Sequence, residues 1–226
     1  NGHIIGGEAL VRWQNDKEMI YPDQFIPVLE KNGYVIDVDN FIWNKVCACI
    51  KMMEDKGIEP VPISVNVSRM HVYQEKFTEN LKNMAGEYGI DPKYIPLEIT
   101  ESAFTKEEGS LFKKVQSLQG YGFKFSMDDF GSGYSSLGML KSERVDEVKI
   151  DKTFVDDIAT DKGKVLLGNV IRMINELGID MIAEGVETKE QADFLKENGC
   201  MYAQGYYYYK PMPIEEFAKL LENSAR

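Results

Sequence analysis

Residues 126–137 read SMDDFGSGYSSL, Ser126 to Leu137. The stretch begins as a strand, with Phe123, Phe125 and Met127 alternating against Lys124, Ser126 and Asp128. It stops at two adjacent acids, Asp128 and Asp129, and runs into a loop that holds Gly131 and Gly133. Neighbouring carboxylates repel, so both stay ionised only beside a strong positive charge. A divalent cation held by oxygen ligands supplies that charge most simply. The plain structural alternative is a helix N-cap, because Asp before a loop and helix is common.

Working outward, short strands alternate with amphipathic helices, which implies a parallel sheet. Strand-like runs fall at Ile4–Arg12, Val61–Val67, Pro96–Thr100, Phe123–Asp128, Glu147–Ile150, Asp180–Ala183 and Tyr202–Gln204. Helical runs fall at Val35–Lys56, Tyr73–Tyr88, Gly109–Gln119, Lys164–Leu177, Lys189–Glu197 and Ile214–Asn223. The first is clearest, with Val38, Phe41, Ile42, Val46, Cys49, Ile50 and Met53 at three-to-four spacing and Gly57 to end it. Seven strands are one short of an eight-stranded α/β barrel. The Asn1-Gly2 turn places the missing strand just before residue 1, as the first arm of a hairpin. An open doubly wound sheet is the alternative architecture.

The chain has 226 residues, 43% hydrophobic and 28% charged, which fits one large globular domain spanning 1–226. The hairpin cut at residue 1 suggests that this domain is a piece of a longer protein. A net charge of −11 argues against duplex nucleic acid as a partner. Cys47, Cys49 and Cys200 show no C-x-x-C spacing and read as reduced, buried thiols of a cytoplasmic domain. No apolar run approaches the roughly 20 residues of a membrane span.

Parity sorts the polar residues. Ser64 and Asn66 oppose Ile63 and Val65; Glu98 opposes Leu97 and Ile99; Lys149 opposes Val148 and Ile150. In a barrel, Glu98, Asp128, Lys149, Glu184 and Gln204 then converge at the carboxyl-end mouth, joined by Glu8 and Asn66. The donors are Glu, Asn and Asp, all hard oxygens, which select Mg²⁺ or Mn²⁺ over Zn²⁺. His3 and His71 are too few for a histidine-rich metallohydrolase, and no G-x-S-x-G elbow is present. A Schiff-base aldolase using Lys149 leaves the acids unexplained.

These residues carry a family pattern. GGEALVRW with Glu8-Ala9-Leu10, then FIPVLEKNG, SVNVS, LEITES, MDDFGSGYSSL, VKIDKTFV, IAEGVET and QGYYYYKP follow one another in order. The chain closely resembles the EAL domain family of bacterial cyclic di-GMP phosphodiesterases. The resemblance implies a (β/α)8 TIM-like barrel whose N-terminal antiparallel strand is missing here. It also implies hydrolysis of cyclic di-GMP to linear 5′-pGpG with two Mg²⁺ or Mn²⁺ ions.

Carried over by position, Glu8, Asn66, Glu98 and Asp128 look like ligands of one metal. Asp128 would bridge to a second, which Asp129 also binds and Glu187 supports. Lys149 matches the family's active-site lysine, and Glu184 a general base or organiser of water. Gln204 matches a glutamine beside that site. Arg12 matches the arginine that contacts a substrate phosphate, with Leu10 beside the ligand, and Glu101 the glutamate that anchors the loop after Asp129. The resemblance further implies a homodimer, an upstream sensory or cyclase-like domain, and membrane anchoring through such a segment. A catalytically silent cyclic di-GMP receptor is the competing function.

Overall fold

The computed structural model describes residues 2–15, 18–100, 108–131, 140 and 145–224. In chain order the elements are β1 (Gly7–Glu8), β2 (Trp13–Gln14), β3 (Met19–Ile20), α1 (Pro22–Asn32), α2 (Val35–Asp55), β4 (Ile63–Asn66), α3 (Arg69–Val72), α4 (Phe77–Tyr88) and β5 (Leu97–Thr100). There follow α5 (Glu108–Gln119), β6 (Phe125–Phe130), β7 (Glu147–Ile150), α6 (Lys152–Asp156), α7 (Asp161–Glu176), β8 (Asp180–Ala183), α8 (Lys189–Glu197), β9 (Tyr202–Ala203) and α9 (Ile214–Ser224). Seven strands form one sheet in the order β1-β4-β5-β6-β7-β8-β9, and β2 pairs with β3 in a separate antiparallel hairpin. The fold is α/β.

Two compact units make up the chain: Asn1–Glu98 with Lys113–Lys124 and Met212–Arg226, and Ile99–Phe112 with Phe125–Pro211. In the first, β1 pairs β4 and β4 pairs β5, both parallel. In the second, β6, β7, β8 and β9 pair successively, again parallel. Crossovers by helices account for this, since parallel neighbours cannot be joined by a tight turn.

The first unit packs on α2, which buries Val35, Asp39, Trp43, Val46, Cys47, Cys49, Ile50 and Met53. Val46, Cys49, Ile50 and Met53 of the expected stripe lie on this face, Val38 and Ile42 are half-buried, and Phe41 falls outside it. Phe41 is 60% exposed, with the Lys45 ammonium 5.5 Å above its ring. The buried face instead includes the acid Asp39, which a purely apolar count passes over. Beyond the helix, Gly57 takes φ +71° and the Ile58 N–H bonds the Met53 carbonyl, closing the end as the glycine implied.

The second unit buries Met127, Val148, Ile150, Leu167, Ile171, Ile174, Met181 and Leu195 around β6–β8 and α7. Burial raises the thiol pKa of Cys47 to about 12 and those of Cys49 and Cys200 to about 11, so all three stay protonated, as filler.

Several boundaries differ from expectation for identifiable reasons. The Ile4–Arg12 strand shrinks to Gly7–Glu8, because past Ala9 the chain turns into the β2–β3 hairpin. α7 starts at Asp161, since Thr160 caps it by accepting the Gly163 N–H. β6 runs on to Phe130 instead of ending at Asp128. Among the described residues no helix is long and apolar enough to cross a membrane.

Candidate active site

In the first unit, three candidate residues follow from strand register. Glu8 pairs with Ser64, and Asn66 pairs with Glu98; Glu8 and Asn66 are the last residues of their strands, and Glu98 lies beside Asn66 within β5. The Asn66 Nδ2 donates to Glu8 Oε1 at 3.3 Å. Glu98 is 1% exposed, whereas Asn66 is open to solvent. Burying a carboxylate is costly, which marks this position as more than a solvated strand terminus. Arg12 follows β1; its Nη1 donates to the Val11 carbonyl, and its guanidinium lies 5.6 Å from the Tyr21 ring centroid. Leu10 is 45% exposed.

In the second unit, the two acids do not end a regular strand. Met127 pairs with Val148 and Phe130 with Ile150, so three steps on β6 span two on β7. Asp128 and Asp129 occupy this bulge, and bulges re-aim side chains at sites of this kind. Asp129 has φ +56°, the one positive value outside glycine among the described residues. Asp tolerates that region because its short polar chain can bond locally. Here the Asp129 N–H donates to Asp128 Oδ1 at 3.0 Å. The helix N-cap alternative does not hold for these two acids, since both lie inside the strand. At Gly131, φ +96°, a Cβ would stand 2.0 Å from the Phe154 ring, so only glycine lets the chain leave the bulge this way.

A polar chain runs from the bulge across the strand ends. The Lys149 Nζ is 3.5 Å from Asp128 Oδ1 and 2.6 Å from Glu184 Oε1, and Lys149 is 2% exposed. Gln204 Nε2 donates to the same Glu184 oxygen at 2.7 Å. The backbone fixes both partners: Glu184 N–H bonds the Ile150 carbonyl, and Gln204 N–H bonds the Ala183 carbonyl. The second unit thus brings together Asp128, Lys149, Glu184 and Gln204.

Glu187 is exposed, two residues ahead of α8, and is bound by Lys152 Nζ at 2.9 Å. That carboxylate is the first cause of a raised Lys152 pKa, followed by burial, which opposes it, and then Asp156, which adds to it. The Gln191 side chain accepts the N–H groups of Glu187 and Thr188, which holds the loop. Sequence reasoning missed Lys152. No sequence pattern singles it out; the structure shows its stem packed so close to Gly185 that a Cβ there would overlap it. Glu101 lies outside the described residues.

The donor set suits a hard divalent ion by its chemistry: carboxylate and amide oxygens, with no thiol or imidazole. Among the described residues, however, no three His, Cys, Asp or Glu side chains are gathered as a ready cage. Acids without a counter-ion repel, and Lys149 compensates Asp128 and Glu184 directly.

The EAL domain profile matches residues 1–211, and the chain belongs to the EAL domain family. Its relatives include the Oxygen sensor protein DosP of Escherichia coli, 35% identical over 95% of this chain and 27% of that protein. The Probable cyclic di-GMP phosphodiesterase PdeB of the same species is 36% identical over 98% of this chain and 42% of its own length. The chain therefore spans less than half of these curated relatives. Among solved structures, the PaMucR phosphodiesterase in complex with c-di-GMP superposes with a TM-score of 0.90 at 32% identity, covering 96% of this chain and 89% of the other. That likeness establishes the TIM-barrel-like EAL architecture.

Proposed function

We propose that the chain hydrolyses cyclic di-GMP to linear 5′-pGpG as the catalytic domain of a longer signalling protein. The observation that carries this is Lys149, buried between Asp128 and Glu184 while Gln204 holds the second acid. An ammonium placed there is poised for phosphate charge rather than needed by an apolar core.

By the family pattern, Glu8, Asn66, Glu98 and Asp128 would hold one Mg²⁺ or Mn²⁺ ion; Asp128 and Asp129, with Glu187 behind them, would hold a second. When bound, such ions neutralise phosphate charge and lower the pKa of water. The protein groups do the rest. Arg12 takes a phosphate oxygen and Leu10 borders the nucleotide. Glu184, oriented by Gln204, orders the attacking water and receives its proton. The water oxygen bonds to phosphorus, the bond to the ribose 3′ oxygen breaks, and that oxygen leaves as the 3′ hydroxyl with a proton taken from solvent water. Lys149 stabilises the charge that builds on the phosphoryl oxygens.

Incubation with cyclic di-GMP and Mn²⁺, with nucleotides separated chromatographically, tests the reading. Accumulating pGpG that disappears on chelation supports it. Tight binding of cyclic di-GMP with no pGpG at any metal concentration would overturn it in favour of a receptor.

A further inference from the structure

Behind Asn66 lies a buried polar group that the chemistry above leaves unused. Trp43 on α2 is 2% exposed, and its Nε1–H donates to the Asn66 carbonyl at 3.1 Å. Asp39, one turn earlier on the same helix face, is 5% exposed. Its Oδ2 accepts the Ser68 N–H at 3.0 Å and stands 3.4 Å from His71 Nε2. The His71 ring lies on Trp43, with centroids 4.4 Å apart, and is backed by Phe77 at 5.8 Å.

The sheet ladder explains why a donor is needed there. Gly7 N–H bonds the Pro62 carbonyl and Ala9 N–H bonds the Ser64 carbonyl. The next carbonyl in that series is Asn66, beyond the end of β1 at Glu8. The indole takes up this carbonyl in place of a ladder partner. On the other side of Val67, Asp39 takes the Ser68 N–H, and the Ser68 Oγ then accepts Met70 N–H to start α3. One helix thus grips the exit of β4 at two backbone points, two residues apart. The peptide that follows Asn66 Cα is held at both edges, its carbonyl by the indole and its Val67 N–H by the Glu98 carbonyl at 2.9 Å, which restrains the direction of the Asn66 Cα–Cβ bond. An aliphatic helix face would bury more cheaply than an acid and an indole N–H, since buried polar groups cost unless bonded.

We infer that Trp43, seconded by Asp39, is a positioning residue: its indole N–H fixes the Asn66 backbone and so aims the Asn66 amide as a metal ligand. This rests on the metal-dependent reading above. Partners that orient a ligand are worth about 10–100-fold in metal affinity.

The test is calorimetric titration of the substrate-free protein with Mn²⁺, for wild type, Trp43→Phe, Asn66→Ala and the double variant. Trp43→Phe is expected to weaken Mn²⁺ about 10-fold, and to have no further effect once Asn66 is alanine, which keeps its carbonyl but lacks the amide. A tenfold loss that persists in the Asn66→Ala background would show general loosening and overturn the inference. So would unchanged affinity in Trp43→Phe. If Trp43→Phe fails to fold, Trp43→benzothienylalanine in a Trp13→Phe background keeps the ring volume and removes only the N–H, and the same two outcomes decide. A wild type that takes up no Mn²⁺ overturns the functional reading and this inference together. Wild-type binding that Asn66→Ala weakens and the position-43 variants leave alone overturns this inference only.

Discussion

At the residue scale, Lys149 is the group on which the site's charge balance turns. Its Nζ serves Asp128 and Glu184 from inside the protein, at 3.5 and 2.6 Å. Lys149→Met keeps the stem and removes the charge, leaving two acids facing an apolar end. Turnover of cyclic di-GMP should fall by about 10²–10³-fold or more, and a steady-state assay in saturating Mn²⁺ reads it. A second prediction concerns Asp39 and His71, whose shifts oppose each other. Burial, aided by Glu30 and resisted by the Ser68 N–H, lifts the Asp39 carboxyl from 3.8 to about 7. Burial lowers His71 from 6.5 to about 4, against bonds to Gln74 and Ile36. The Asp39 contribution is present at low pH and is lost as pH rises towards 7. The His71 contribution runs the other way, lost as pH falls from 6.5 to 4. Their slopes cancel over most of the window, and removing either partner exposes the other. Relative to wild type, His71→Phe should gain stability as pH falls from 7 to 4.5, and Asp39→Asn should lose it, each by roughly 2–4 kcal/mol. Urea unfolding across that range checks this; parallel profiles for all three proteins would contradict it.

At the element scale, β6 shows where a sequence is legible and where it stops being so. Period-two parity placed Glu98, Lys149 and Asp128 on the polar faces of their strands, and β7, β8 and α8 have the read boundaries residue for residue. The bulge was invisible, because two acids in a row fit a strand end as well as a kink. Likewise α2 showed the second half of its face, Val46 to Met53, while the first half was missed because the acid at Asp39 interrupts the apolar count that periodicity relies on. The β2–β3 hairpin and α6 are too short for any period to show. Within β6, the positive φ of Asp129 separates a backbone role from a ligand role. Asparagine adopts that region as readily as aspartate, so Asp129→Asn should melt close to wild type while losing Mn²⁺-dependent activity. Asp129→Ala should lose the activity and, in addition, about 1–2 kcal/mol of stability. If Asp129→Asn and wild type hydrolyse cyclic di-GMP equally, Asp129 serves the backbone alone.

At the scale of the whole molecule, the acid surplus decides how the protein should respond to its proposed ions. The chain carries 37 acidic against 26 basic residues, for a net charge of −11. Any salt relieves that repulsion by screening, and divalent chlorides screen more strongly than NaCl at equal concentration. A specific site adds a different term, because an ion bound only to the folded protein stabilises it by mass action. At 100 times its dissociation constant the gain is about 2.7 kcal/mol, which for a protein of this size lifts the melting temperature by about 5–10 °C. Screening cannot tell Mn²⁺ from Ca²⁺, nor wild type from a single-site variant. A compact oxygen site with an amide donor can, since Ca²⁺ asks for more ligands at longer distances. Melting temperatures taken in MnCl₂, CaCl₂ and ionic-strength-matched NaCl should therefore rank Mn²⁺ highest for wild type, and Asp128→Asn should bring the Mn²⁺ curve down to the Ca²⁺ one. Coincident Mn²⁺ and Ca²⁺ curves in the wild type would mean that the acids at the strand ends are merely screened, and the metal-dependent reading would fall with them.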